Sequence, residues 1–327
     1  MEFLYFLEGI RNPVFDFFFE LITHLGEETF FLLIAILFFW CIDKREGYYI
    51  LLVGLYGTVI NQIAKLAFRI DRPWVKDPNF TVVGDAKIEA TGYSFPSGHT
   101  QNIAGTFGSI AAYNKNKRWV SILSVSVIVL VAFSRMYLGV HTPLDVGVSL
   151  IVAFLLVVLL RPLFASEERF LKSFPWLVIS AVVLSLGFVI YVLALSGDTT
   201  LDAENYASAL KNSCTLMGCL SGLLIVYFVD TKWLKFNTGA RWYAQIIKLA
   251  VGLLGVLAIK SGLSEPLTLL FGNELVARVI RYFLLVSFAG AVWPMTFSRF
   301  AKLRIPALDA LSDKVSTFFN RSGNSEK

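Results

Sequence analysis

Charge is what this sequence has least of. Only 16% of its 327 residues are Asp, Glu, Lys or Arg, against roughly 25% in an average soluble domain. With 56% hydrophobic residues and a mean hydropathy of +0.65, the chain cannot cover a water-facing surface, which excludes an ordinary soluble protein. Cysteine is also scarce: Cys41, Cys214 and Cys219 lie in or beside apolar segments, as small buried residues do, which excludes a disulfide framework. No Cys and His spacing suits zinc and no acidic cluster suits magnesium, so no metal and no other cofactor is expected. The net charge of +5 is spread over loops without a basic soluble face, so nucleic acid is not an expected partner. The opening MEFLYFLEGI carries acid where a signal peptide carries base, so no cleaved signal is expected. Internal repeats and low-complexity tracts are absent. The apolar runs lack the alternation of a strand barrel.

Those runs fall near 28–42, 48–68, 99–113, 119–138, 143–163, 175–196, 212–230, 243–263 and 279–298. A helix crossing roughly 30 Å of hydrocarbon needs about 20 such residues. The fold class expected is therefore an all-α polytopic membrane protein with about nine transmembrane helices, partnered by the lipid bilayer. The third run is short, and the first reaches full length only if residues before Glu27 and Glu28 join it. Residues 13–25, PVFDFFFELITHL, are aromatic, amphipathic and too short to span, which predicts a helix lying in the membrane interface, with His24 as an interfacial residue without catalytic duty.

Alternate loops differ in charge. One set holds Lys44, Arg45, Lys115, Lys117, Arg118, Arg161, Arg169, Lys172, Lys232, Lys235, Arg241, Arg299, Lys302 and Arg304; the opposite set includes the acidic SGDTTLDAEN of 196–205. The positive-inside rule makes the first set cytoplasmic. The opposite loops, which also hold Arg69, Arg72, Lys76 and Lys87, then face the periplasm, cell exterior or lumen.

Three clusters carry chemistry-bearing residues towards that outward side. In INQIAKLAFRIDRPW, Lys65 stands near the end of a span and Arg72 follows where Pro73 stops the helix. Lys65 reads equally as a snorkelling lysine or as one facing a polar cavity, whereas the planar fork of Arg72 suits bidentate phosphate contact. In SFPSGHTQNI, Ser97 can cap a helix whose first turn holds Gly98 and His99, and the unpaired N–H groups of such a start attract anions. In FSRMYLGVHTPLDV, Arg135 leaves one helix, and His141 stands four residues before Asp145, with Thr142 and Pro143 able to begin the next. That spacing lets Asp145 accept an imidazole N–H and leave the other nitrogen as nucleophile or base. A purely structural pair would read the same locally.

Taken together, Lys65 with Arg72-Pro73, Pro96-Ser97-Gly98-His99, and Ser134-Arg135 with His141 and Asp145 closely resemble the three motifs of the type 2 phosphatidic acid phosphatase superfamily. The resemblance covers about residues 13–165 and implies a helical-bundle phosphatase core there. It implies that His141 attacks phosphorus and becomes a phosphohistidine, that Asp145 holds its ring, and that His99 protonates the leaving oxygen and then activates water. It also implies that Lys65, Arg72 and Arg135 clamp the nonbridging oxygens, with Ser97 and the Gly98 N–H completing the cradle. Metal-independent hydrolysis of a lipid phosphate or polyprenyl pyrophosphate follows as the expected activity. A soluble phosphomonoester such as glucose 6-phosphate is the alternative substrate, and inhibition by vanadate is expected from the shared pocket.

Residues 166–305 form additional transmembrane helices without a recognised motif, and the amphipathic stretch 164–174 marks the boundary between the halves. Lys248, Lys260, Arg278, Arg281 and Pro294 in that half also suit a lipid-binding or translocating protein; packing against the core or a homodimer contact are the simpler readings. Residues 306–327 read as a polar, disordered tail.

Overall fold

The computed structural model describes residues 1–309; the tail read at 306–327 lies outside the described residues from position 310 onward. All regular structure among the described residues is helical. The elements in order are α1 (Glu2–Gly9), α2 (Pro13–Thr23), α3 (Glu28–Leu37), α4 (Lys44–Phe68), α5 (Pro73–Lys76), α6 (Ala86–Glu89), α7 (Gly98–Tyr113), α8 (Arg118–Tyr137), α9 (Pro143–Leu160), α10 (Glu167–Ala194), α11 (Ala203–Val229), α12 (Trp242–Gly262), α13 (Ser264–Phe271), α14 (Glu274–Ser287) and α15 (Phe297–Lys302).

Helix starts follow side-chain chemistry. Asp43, Ser97, Thr142, Ser166, Asp202 and Asn273 each accept N–H groups from the first turn they precede, which satisfies donors the helix itself cannot. Helix α4 ends at Arg69, whose left-handed backbone (φ 49°) lets its N–H cap the Lys65 carbonyl.

All nine apolar runs are helical, but they are not equivalent. Among the described residues seven helical stretches are long and apolar enough to cross a membrane: 44–76, 118–137, 143–164, 167–194, 203–234, 242–271 and 274–302. Helices α2 and α3 pass only as a pair bent by 55°, giving up to eight. The short run became α7, whose 16 residues rise about 24 Å. It packs against α4, α8 and α9 and buries Thr100, Gln101, Asn102, Thr106 and Ser109 along its length. Its end meets the start of α4, where Asn114 donates to Glu46 at 2.7 Å, while Gln101 and Gly98 lie beside Gly57 and Asn61 further along. The two helices therefore run antiparallel.

Outward-facing positions are apolar, among them Ile122, Val129, Phe154, Leu159, Ile190 and Leu254, as a lipid-facing surface requires. Polar loops collect at two ends. At one, Lys44 pairs with Asp230 at 3.0 Å, Arg45 bonds the Tyr113 hydroxyl and Arg161 donates to the Ala112 carbonyl. At the other, Arg69 pairs with Asp198 at 2.7 Å.

The two halves share one apolar core. It runs from Trp40, Tyr48 and Tyr49 through Phe164, Phe170 and Phe174 to Leu220, Tyr227 and Phe297. Within the second half α11 lies along α14, and a Cβ at Gly218 would stand 2.4 Å from the Val279 carbonyl oxygen; only glycine permits that approach. Lys248, singled out in sequence, is consumed by structure: its ammonium donates to the Trp40 carbonyl at 2.7 Å and the Thr238 carbonyl at 3.0 Å and sits over the Phe297 ring.

Candidate active site

Four helix ends and the loop between α4 and α7 meet opposite the Lys44–Asp230 end. The end of α4 brings Lys65 and, just beyond it, Arg72; the start of α7 brings Ser97, Gly98 and His99; the α8–α9 turn brings Arg135, His141 and Asp145. Lys65, Arg72, Ser97, Arg135, His141 and Asp145 are buried, and Gly98 and His99 are half-buried. The two helix starts are tied together: the Ser97 N–H donates to the Asp145 carbonyl at 3.2 Å and the Ser149 hydroxyl to the Ser97 carbonyl at 2.9 Å. All eight residues singled out in sequence thus belong to one region of the fold.

His141 has its two nitrogens facing different partners. Nδ1 lies 3.4 Å from Asp145 Oδ2, and Nε2 lies 3.1 Å from Arg72 Nη1. A guanidinium N–H can only donate, so Nε2 presents a lone pair and Nδ1 carries the proton on the carboxylate side. Burial, then Arg72, Arg135 and Lys65, pushes the His141 imidazolium well below the ordinary histidine range, which keeps the ring neutral. Asp145 is fixed in turn. It closes a capping box with Thr142, whose N–H donates to Oδ2 at 2.8 Å, and the Ser94 hydroxyl donates to the same oxygen at 2.6 Å. The Ser97 hydroxyl accepts from the Thr100 N–H at 3.4 Å, as a cap should.

The cations hold the loop that covers them. Arg72 donates to the carbonyls of Thr91 at 2.8 Å, Gly92 at 3.1 Å and Val140 at 3.1 Å, and Lys65 donates to the Tyr93 carbonyl. Gly92, at φ 71°, supplies the left-handed turn that aims successive carbonyls downward. Arg135 donates to the Thr23 hydroxyl at 2.5 Å and is an electrostatic neighbour of both histidines. His99 Nε2 is buried without a hydrogen-bond partner. Two arginines and a lysine thus surround one carboxylate, and such a site favours an anion. Among the described residues no group of three or more His, Cys, Asp or Glu side chains could hold a metal ion.

Sequence reasoning missed Ser94, the carbonyls of residues 91–93, Thr23, and the amides of Asn61 and Gln101. Only Ser94 left a signal, as the first serine of SFPSGH. His24, read as non-catalytic, is exposed and pairs with Glu27 at 2.5 Å.

Comparison with known proteins covers both halves. The family profile described as PAP2 superfamily matches residues 46–169, and that described as PAP2 superfamily phosphatase, transmembrane extension, matches 214–305. The second match reaches the half in which sequence reading found no motif. A probable sphingosine-1-phosphate phosphatase of Dictyostelium discoideum is 33% identical over 159 residues, which is 45% of this chain and 38% of that protein. Phosphatidylglycerophosphatase B of Bacillus subtilis is 29% identical over 175 residues, 49% of this chain and 81% of that protein. Undecaprenyl-diphosphatase BcrC of the same organism is 30% identical over 148 residues, 45% of this chain and 73% of that protein. The chain therefore spans well under half of the first relative and most of the other two. With the three motif clusters assembled at one end of the bundle and both profiles matched in order, the chain belongs to the PAP2 superfamily.

Proposed function

We propose that this protein is a metal-independent membrane phosphatase that hydrolyses a lipid phosphate or polyprenyl pyrophosphate through a phosphohistidine at His141. The observation that carries the reading is the His141 ring, neutral and aimed, with Asp145 behind Nδ1 and the Arg72 guanidinium in front of Nε2. A phosphate entering there meets Arg72, Lys65 and Arg135 on its nonbridging oxygens and the Ser97 hydroxyl and Gly98 N–H beside them. Phosphoryl transfer asks mainly for position and for compensation of equatorial oxygen charge, and these groups supply both.

In the first step the Nε2 lone pair forms the N–P bond, the P–O bond to the leaving group breaks, and His99, an imidazolium once the anionic phosphate offsets the cations beside it, gives its proton to the departing oxygen. The Asp145 carboxylate stabilises the charge gained by the ring. In the second step a water oxygen attacks phosphorus, His99 takes the water proton and the N–P bond breaks, restoring the free ring. The Arg72 contact to Nε2 yields to phosphate, which accepts the same N–H.

The substrate class follows from location and kinship. The site lies at the ends of lipid-facing helices, where a headgroup can enter while its tails stay in the bilayer, and the relatives named above act on lipid and polyprenyl phosphates. Residues 1–165 form the catalytic core on this reading and 166–305 an extension. The cation-rich loop set faces the cytoplasm, the site faces outward, α2 lies in the interface, and α7 and α3, the latter the crossing arm of the bent pair, join the seven long helices to make nine crossings.

Phosphate release in excess chelator, from phosphatidic acid, phosphatidylglycerophosphate, sphingosine 1-phosphate, undecaprenyl pyrophosphate and glucose 6-phosphate, tests this reading. Turnover of a lipid substrate that vanishes in His141→Ala is expected. Preference for glucose 6-phosphate would overturn the lipid assignment, and loss of activity in chelator with rescue by a divalent ion would overturn the mechanism.

A further inference from the structure

Beside the phosphate cradle lies a second polar cleft that the mechanism does not use. It lies between α3, α4 and α7 with a cavity volume of about 20 Å³, room for one water-sized polar group, and Glu28, Thr58, Asn61, Gln62, Gln101 and Asn102 line it together with Gly98. Gly98 opens α7 at the cradle, and Asn61 stands one helical turn before Lys65 on the same face of α4. The cleft therefore begins where the phosphate site ends.

Two of its side chains hold unspent polar atoms. Asn61 and Gln101 are each 3% exposed. Neither the oxygen nor the nitrogen of the Asn61 amide has a hydrogen-bond partner, and neither does Gln101 Nε2. Buried amides are nearly always paired, so two of them orphaned in one cleft mark a place where a partner is taken up. Asn102 differs, since its Nδ2 donates to the Gly26 carbonyl at 3.3 Å. Glu28 is exposed at the rim, with Lys260 of α12, Cys219 of α11 and Tyr282 of α14 as its electrostatic neighbours. The seam between core and extension thus opens onto this cleft.

We infer that the cleft is a subsite for a hydroxyl- or amine-bearing carbon next to the phosphate ester of an amphiphilic substrate. A hydroxyl donates to Asn61 Oδ1 and accepts from Asn61 Nδ2 or Gln101 Nε2; an ammonium donates to Asn61 Oδ1 and is drawn to the Glu28 carboxylate. A fully esterified glycerol backbone has no donor to offer and leaves the Asn61 oxygen unpaired, so the cleft selects against it. This deepens the phosphatase reading and rests on it for the position of the phosphate.

The test compares kcat/KM for lysophosphatidic acid (hydroxyl), sphingosine 1-phosphate (amine and hydroxyl) and diacyl phosphatidic acid (neither) in mixed micelles. The proteins are wild type, Asn61→Leu, Gln101→Leu and Asn61→Asp. Wild type is expected to prefer a donor-bearing lipid at least tenfold over phosphatidic acid, with that ratio falling to threefold or less in Asn61→Leu and Gln101→Leu. Asn61→Asp, which keeps the acceptors and adds charge, is expected to shift preference towards the amine. An unchanged ratio in folded Gln101→Leu and Asn61→Asp would overturn the inference and leave the cleft a water site. Thermal stabilisation of His141→Ala protein by the same three lipids, with and without Asn61→Leu, gives a readout free of turnover. If wild type releases phosphate from none of these and from none of the wider panel above, the phosphatase reading fails. Selective stabilisation lost with Asn61 still supports the cleft, and equal stabilisation overturns it.

Discussion

Asp145 Oδ2 takes the Ser94 hydroxyl and the Thr142 N–H and lies 3.4 Å from His141 Nδ1, so one oxygen caps a helix and faces the ring proposed to attack phosphorus. Asp145→Asn keeps the shape and removes the charge that, on the proposed mechanism, stabilises the ring once it carries phosphorus. A fall in kcat of roughly 10²–10³ with little change in KM is expected, whereas a matching rise in KM would mean that Asp145 only shapes the pocket. Acid should act on His141 itself. Folding lowers its pKa from an ordinary 6.5, so below that value the unfolded chain binds the extra proton and stability falls as pH drops. Thermal melts from pH 7.5 to 5 should therefore decline more steeply for wild type than for His141→Asn; parallel curves would contradict a neutral buried ring. Much of this was legible, because His141, Thr142, Pro143 and Asp145 are local in sequence and four residues make one turn. Ser94, 51 positions from Asp145, and Thr23, 112 from Arg135, were not legible, since neither the loop over 77–94 nor the bend after α2 has a periodicity that fixes where its side chains go.

Helix starts were readable and helix roles were not. Ser97 and Thr142 cap as their chemistry dictates, yet the length of α7 gave no sign that it would run through the middle of the core with five polar residues buried. Its hydropathy is that of a protein-facing helix, and length rules describe lipid-facing ones. Lys248 carries the opposite lesson: an intramembrane lysine left transport open beside the simpler packing reading, and its ammonium joins the chain after α3 to the approach of α12 through the Trp40 and Thr238 carbonyls. Lys248→Met is expected to destabilise the protein by about 1–3 kcal/mol, because two buried carbonyls lose a charged donor, with phosphate release per folded molecule within twofold of wild type. A lowered rate at unchanged melting temperature, or altered lipid movement in vesicles, would restore the transport reading.

At the scale of the whole molecule, charge and chemistry sit at opposite ends of one bundle. The Lys44, Arg45 and Arg161 contacts close one end, and the cluster of Lys65, Arg72, Arg135 and two histidines occupies the other, with apolar side chains facing outward between them. The core shared by α4, α10 and α11 explains why the second half offered no motif: it is read through packing, in which many apolar residues serve equally, while a phosphate site accepts few. The most direct test of the account is a rapid quench of the full-length enzyme with its ³²P-labelled lipid substrate in excess chelator, followed by mapping of the label. The account predicts an acid-labile, base-stable phosphorus on His141, absent from His141→Ala. Label on another residue, or turnover without any labelled protein intermediate on the timescale of catalysis, would contradict it.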